Sequence, residues 1–238
     1  MPPPLAPPAT RGTVTISAAA STKEAVEMLA EQFQRSNQAE VRVNLGPSSG
    51  LTTQIVAGAP ADLFLSASQE WADKVRAAGL AADEKQLLTG KLVLVVPRGN
   101  PAEIREPRDL LQPAVKKVAL AGENVPAGKY ADQALAKLSL LEPLTREGRI
   151  ARGQDVRSAL GYVERGEAEA GIVYSTDVAA AAVEVVHAFD PALHDEIVYV
   201  LVLLKRGDQN RAARQFFDFL QAAEANDVYQ RLGFAKLP

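Results

Sequence analysis

Thr13-Val14-Thr15-Ile16-Ser17-Ala18-Ala19-Ala20-Ser21-Thr22 is the stretch from which the fold can be worked out. Its first four residues are β-branched, which predicts a strand over Thr13 to Ile16. From Thr22 to Arg35 the pattern switches to a helical period, with Val26, Leu29, Ala30 and Phe33 on one face. Small residues separate the two elements, and Ser21 stands where an N-cap belongs. A strand that stops on small residues and restarts as a helix leaves several backbone N–H groups unpaired and aimed at one spot. That spot favours an anion.

The same alternation continues outward from this unit. Val41 to Leu45 reads as a strand, Gly46 to Gly50 as a turn and Leu51 to Ala57 as a short helix. Gly58-Ala59-Pro60-Ala61-Asp62 breaks that helix, Leu63 to Ser66 is an apolar strand, and Gln69 to Ala77 is a helix carrying Trp71. Short strand–helix–strand connections of this kind imply right-handed crossovers and a parallel sheet covered on both faces. After the apolar run Lys91 to Val96, the order repeats: strand Val118 to Ala121, turn Val125 to Gly128, and helix Lys129 to Leu138. Asp155 caps a further helix whose inner face holds Val156, Ala159, Leu160 and Val163, and Gly166 ends it. Gly171 to Tyr174 is a strand leading to a turn and an alanine-rich helix, Val183 to Phe189 is a strand, and Ile197 to Leu204 is a long apolar one. The tail is helical, with Ala213, Phe216, Phe217 and Leu220 forming one stripe.

Two rounds of one α/β pattern predict two lobes, each a mostly parallel sheet flanked by helices, linked by crossovers at Lys91 to Val96 and Ile197 to Leu204. The expected division is lobe I over 13–91 and 200–238, lobe II over 92–199, and a proline-rich extended start over 1–12. A cleft lined by strand carboxyl ends is where open α/β sheets take ligands.

The 238 residues, 47% of them hydrophobic, suffice for such a core, and the formal net charge of -3 is spread along the chain. No basic face is laid out for nucleic acid. Cysteine is absent, which removes disulfides and thiolate chemistry. No apolar run approaches the roughly 20 residues that span a bilayer. The first ten residues lack the positive and apolar regions of a secretory leader, leaving either a cytoplasmic protein or a mature chain.

Four turns share one design of strand end, small or hydroxyl residues and helix start: Ala20-Ser21, Ser48-Ser49-Gly50, Pro126-Ala127-Gly128 and Gln154-Asp155-Val156. Tyr174 adds a phenol at a fifth strand end. Taken singly, each serine is explained by capping. If the lobes face each other, the set becomes a ring of N–H and O–H donors for one small anion, with no Lys or Arg in it. A rival lies in Gly46-Pro47-Ser48-Ser49-Gly50, which fits the G-x-S-x-G pattern of a hydrolase nucleophile, with Asp155 or Asp177 and His187 or His194 downstream. Metal-ligand spacings, a P-loop and a Rossmann glycine pattern are all missing.

Ala18-Ala19-Ala20-Ser21, the run from Gly58 to Ala67 (GAPADLFLSA), the run from Val125 to Ala131 (VPAGKYA), Gln154-Asp155-Val156-Arg157 and Gly171-Ile172-Val173-Tyr174 resemble the periplasmic molybdate-binding proteins of ABC transporters. The resemblance runs from about Thr13 to Gly233-Phe234. It implies a two-lobe periplasmic-binding-protein fold that closes over molybdate or tungstate, needs no cofactor and catalyses nothing. It further implies a monomeric receptor outside the cytoplasmic membrane that delivers to a permease. Carried over by position, Ser21 and Ser48 would donate through hydroxyl and backbone N–H, Ala127 and Val156 through backbone N–H, and Tyr174 through its phenol. Relatives often carry a longer serine run at 47–50, so the contact is Ser48 or Ser49, and counting back from Gly58 favours Ser48. A receptor of the same fold for sulfate or another small oxyanion is the alternative ligand assignment.

Overall fold

The computed structural model describes residues 12–37, 39–179 and 181–237. The proline-rich start lies outside them up to residue 11. In chain order the elements are β1 (Gly12–Ala19), α1 (Lys23–Ser36), β2 (Ala39–Gly46), α2 (Ser48–Val56), β3 (Leu63–Ser66), α3 (Gln69–Ala77), β4 (Ala81–Thr89) and β5 (Leu92–Pro97). Then come β6 (Val118–Ala121), α4 (Pro126–Lys137), α5 (Leu141–Arg146), β7 (Ile150–Gly153), α6 (Val156–Glu164), β8 (Ala170–Tyr174) and β9 (Val183–Ala188). Finally β10 (Val198–Leu204), α7 (Lys205–Asp208), α8 (Arg211–Phe219), α9 (Ala223–Arg231) and β11 (Ala235–Lys236) close the chain.

These strands form two sheets, ordered β11-β4-β10-β3-β1-β2 and β7-β6-β8-β5-β9. The β1, β2 and β3 strands pair in parallel, as do β6, β7 and β8, in keeping with the crossovers read from the sequence. Each sheet is nevertheless mixed. β10 runs antiparallel to β3 and β4, and β5 antiparallel to β8 and β9, because these strands arrive from the other sheet and enter from the opposite end. The chain passes between sheets at Gly90-Lys91 and again over 189–197, so each crossing adjoins one of the two long apolar strands. Val198 and Tyr199 already pair with Thr89 and Leu88 in the first sheet, ahead of the return expected at 200.

β10 shows why such a strand reads as an unbroken apolar run. All seven of its residues are buried. Val198, Val200, Val202 and Leu204 meet Leu51, Ile55, Ala72 and Val75 of α2 and α3 on one face, while Tyr199, Leu201 and Leu203 join the larger core on the other. With a side-chain period of two and helices on both faces, every position becomes a core position. Each fully buried Val or Leu contributes about 1.5–3 kcal/mol. α1 buries Ala25, Val26, Leu29, Ala30 and Phe33, the face predicted by its periodicity, and Phe33 packs on Phe216 at 4.9 Å between ring centroids. The C-terminal helices thus return to the first sheet.

The Gly58-to-Asp62 break has a structural purpose. Asp62 N–H donates to Thr15 O, and its carboxylate accepts from Thr15 N–H at 2.8 Å, so the segment is tied to β1 before β3 begins. Gly207 lies so close to this turn that a Cβ there would stand 2.2 Å from Asp62 O.

Three local expectations are corrected. The alanine-rich helix after Thr176 does not form: a 3₁₀ turn spans Ser175–Asp177, and among the described residues the stretch to β9 is too short for a helix. α2 and α4 begin at Ser48 and Pro126, earlier than expected, so residues taken for turns are first-turn helix residues. Pro126 at the first helical position is well placed, since its missing N–H has no helical partner to lose.

Candidate functional site

The strand ends singled out by the sequence meet in one place. Ala19, Ala20, Ser21, Gly46, Pro47, Ser48 and Ala67 from the first sheet face Val125, Pro126, Ala127, Asp155, Val156 and Tyr174 from the second across a small cavity. It offers about 10 Å³ to the centre of a water-sized sphere. All five expected site residues line it, and their exposures of 3% (Ser21), 1% (Ser48), 1% (Ala127), 3% (Val156) and 1% (Tyr174) show two lobes shut over it.

Helix starts bring unpaired backbone N–H groups to this cavity's walls. In α2 the first intrahelical acceptor of this turn, Pro47 O, is taken by Leu51 N–H, which leaves the N–H groups of Ser48, Ser49 and Gly50 without a helical partner. In α4 Lys129 N–H takes Val125 O, freeing Ala127 and Gly128. In α6 the Asp155 carboxylate accepts from Ser158 N–H and hydroxyl, both at 2.8 Å, and Ala159 N–H takes Asp155 O. Val156 and Arg157 N–H remain. The Asp155 cap is as the sequence predicts, and its carboxylate is occupied in holding α6.

Ser21 is different from expectation. β1 continues to Ala19, and a 3₁₀ turn over Ala20–Thr22 intervenes before α1, so Thr22 rather than Ser21 precedes that helix and no side chain caps it. The physical reason is that Thr22 hydroxyl donates back to Ala19 O at 2.7 Å and fixes the tighter turn. The Ser21 hydroxyl is left buried without a partner. Ser48 hydroxyl oxygen accepts from Ala67 N–H at 3.0 Å, which turns its own proton away from that bond. Ser49 is only half-buried and does not line the cavity. Tyr174 hydroxyl is buried and unpartnered, and burial holds its phenol well above the usual pKa, so it is a donor at any neutral pH.

Among the described residues no Lys, Arg or His lines the cavity. The nearest cations on the same turns point elsewhere. Arg157 of α6 pairs with Glu24 of α1, and Lys129 of α4 with Glu70 of α3, so each links the two lobes at the rim. Arg157 Nε also stands 3.2 Å from Asp177 Oδ1. Burial pushes the Asp177 carboxyl up to about 7 against the pull of Arg157, and its other oxygen accepts from Tyr174 N–H at 3.1 Å. Thr176 and Tyr199, buried near Tyr174, are residues that sequence reading missed, and Asp177, which the sequence offers only as a hydrolase acid, is buried beside them. For Tyr199 the available signal was an isolated polar tip inside an apolar run.

The hydrolase constellation is not assembled. Ser48 is helical, at the first position of α2, and its oxygen is engaged by Ala67 N–H. His187 lies in β9, pairing with Leu94 and stacked edge-on against Phe189, and His194 Nδ1 bonds Asp195 O at 2.7 Å beside Tyr130. Neither histidine lines the cavity. Among the described residues no cluster of three or more His, Asp or Glu is gathered as for a metal, and no helix is long and apolar enough to cross a membrane.

Two α/β lobes, linked by two passes of chain and shut over a small cavity that no Lys, Arg or His lines among the described residues, make up the architecture of a two-lobe solute receptor. Residues 14–235 match the bacterial extracellular solute-binding proteins, and the chain belongs to that family. The molybdate-binding protein ModA of Escherichia coli is 36% identical over 237 residues, covering 95% of this chain and 90% of that protein. ModA of Haemophilus influenzae is 36% identical over 231 residues, covering 93% and 89%. The periplasmic molybdate-binding protein of Azotobacter vinelandii superposes with a TM-score of 0.85 at 25% identity, covering 94% of this chain and 99% of that one.

Proposed function

We propose that this protein binds molybdate, and tungstate equally, in the periplasm and delivers it to the permease of an ABC transporter. The observation that carries the reading is the convergence of Ser21, Ser48, Ala127, Val156 and Tyr174 from both lobes on one cavity without a cation. A tetrahedral dianion suits these five residues, because each has a proton to give, and Asp155, the one carboxylate in the lining, has an oxygen engaged by Ser158 N–H and hydroxyl. Each hydrogen bond to a charged acceptor contributes about 1.5–3 kcal/mol, so several of them reach micromolar to nanomolar affinity, about −8 to −12 kcal/mol, after dehydration. No cofactor enters, and with Ser48 held by Ala67 rather than by a base the protein works as a receptor and not as a hydrolase.

The lobes, hinged at Gly90-Lys91 and 189–197, close on the anion, and the closed shape with its two rim ion pairs is what a permease recognises. Discrimination from sulfate rests on size, since donors fixed by helix starts cannot draw in around a smaller anion. Titration calorimetry with molybdate, tungstate, sulfate and phosphate tests this. Molybdate and tungstate bind tightly and alike, and tight binding of sulfate without molybdate would overturn the assignment.

Val156→Pro is a sharper probe of the backbone donors. Position 156 opens α6, where proline keeps the helix, and Asp155 before it is extended (φ -148°, ψ -175°), as a residue preceding proline must be. Only the N–H is lost. Molybdate affinity should fall roughly 10- to 100-fold, the value of one hydrogen bond to an anion, while thermal unfolding of the ligand-free protein moves by a few degrees at most.

A further inference from the structure

Four hydroxyls, Ser21 Oγ, Tyr174 Oη, Thr176 Oγ1 and Tyr199 Oη, are buried together with no hydrogen-bond partner. Buried polar groups are nearly always paired, and one left unpaired calls for a reason. A ligand in the cavity accounts for Ser21 and Tyr174, which line it. It does not account for Tyr199, which is fully buried and outside the lining.

Tyr199 stands behind the site, at the junction of both crossings. It is the second residue of β10, at a register shift against β4, and its ring packs edge-on against Tyr174 at 5.9 Å and Phe234 at 5.2 Å. A Cβ added to Gly90, in the other crossing, would come within 4.0 Å of its hydroxyl. Ser21 and Thr176 stand close enough to offset part of the upward shift that burial and the Asp177 charge impose on its phenol. The phenol therefore keeps its proton, and its ring contact with the cavity-lining Tyr174 sets it beside the site to which the unpartnered Ser21 hydroxyl also belongs.

Proton accounting gives this arrangement a use. Ser21 carries one proton. When that proton is given to an anion in the cavity, the Ser21 oxygen is left buried with lone pairs to fill, and becomes a better acceptor as it donates. We propose that Tyr199 is a positioning residue for the anion site: its phenol donates to Ser21 Oγ when Ser21 donates to the oxyanion, so the bound anion is linked through Ser21 to the strand that carries the hinge. The chain of donors runs from Tyr199 through Ser21 to the ligand, with Tyr174 reaching the ligand directly from the opposite lobe.

This rests on the oxyanion reading above, and the test separates the two. Tyr199→Phe keeps the ring packing and removes only the hydroxyl. With calorimetry using molybdate, the variant should bind roughly 5- to 10-fold more weakly than wild type, the fold-change of one ordinary hydrogen bond. In a Ser21→Ala background the same substitution should cost nothing further, because its acceptor is gone. The ligand-free protein should unfold at the same or a higher temperature, since an unpartnered buried hydroxyl has been deleted. A purely structural tyrosine would instead lower stability and affinity together in both backgrounds. Unchanged affinity of Tyr199→Phe, or an equal loss with and without Ser21, overturns the proposal. Failure of the wild type to bind molybdate would overturn the oxyanion reading itself.

Discussion

Replacing Ser21 and Ser48 together by alanine lowers molybdate affinity by roughly 10²- to 10⁴-fold, the sum of two hydrogen bonds to a charged acceptor at about 1.5–3 kcal/mol each. Tyr174→Phe, which removes one such donor, costs less. Calorimetry or competition with a labelled anion measures both. The two serines should differ in what they do to the ligand-free protein. Ser21 hydroxyl has no protein partner, so its loss leaves stability unchanged, whereas Ser48→Ala strands the buried Ala67 N–H and costs about 1–3 kcal/mol of folding stability. Unchanged affinity in the double variant would place the anion elsewhere.

Gly128→Ala should abolish tight binding through the backbone. Gly128 is the third residue of α4, and a Cβ there would stand 2.2 Å from Gly122 O and 2.6 Å from Ala121 O. Both are main-chain atoms at the end of β6, so the helix start has to lift and carry the Ala127 N–H with it. Overpacking of this kind costs typically about 1–3 kcal/mol, and for a chain of this size each kcal/mol lowers Tm by about 2–4 °C. The expected result is a Tm lowered by roughly 3–10 °C and an affinity loss above roughly 100-fold, since more than one donor is displaced. Gly50→Ala supplies the control: Gly50 occupies the same third position in α2, but its added Cβ would meet only the Pro47 ring, at 3.4 Å from Cγ and 4.0 Å from Cδ. Equal behaviour of the two variants would show that helix-start packing does not hold the site together.

What could be read from the sequence follows the physics of burial. Leu63–Ser66, Gln69–Ala77 and Val118–Ala121 have in the structure the bounds that their apolar runs and flanking breakers predict. β4 was not legible, because Ala81-Ala82-Asp83-Glu84-Lys85-Gln86 is polar and half-exposed and becomes a strand only by pairing with β10. β7 and β11 are short edge strands with the same origin. In the site, the five positions that line the cavity were legible because strand ends and helix starts have a chemistry of their own. The capping role given to Ser21 was not correct, because nothing local reveals that Thr22 folds back onto Ala19 O. Tyr199 was hidden inside an apolar strand whose period explains it as core.

Ala127 and Val156 line the cavity at the first turns of α4 and α6, and what the proposed site draws from them is a peptide N–H that no side chain encodes. Any residue other than proline would supply the same proton at the same point, provided the helix still begins there. Such a site is robust to drift: its letters can change while its chemistry stays fixed. Comparison by residue identity will therefore under-count proteins with a cavity of this kind, and a search for helix starts converging at the right spacing would find them.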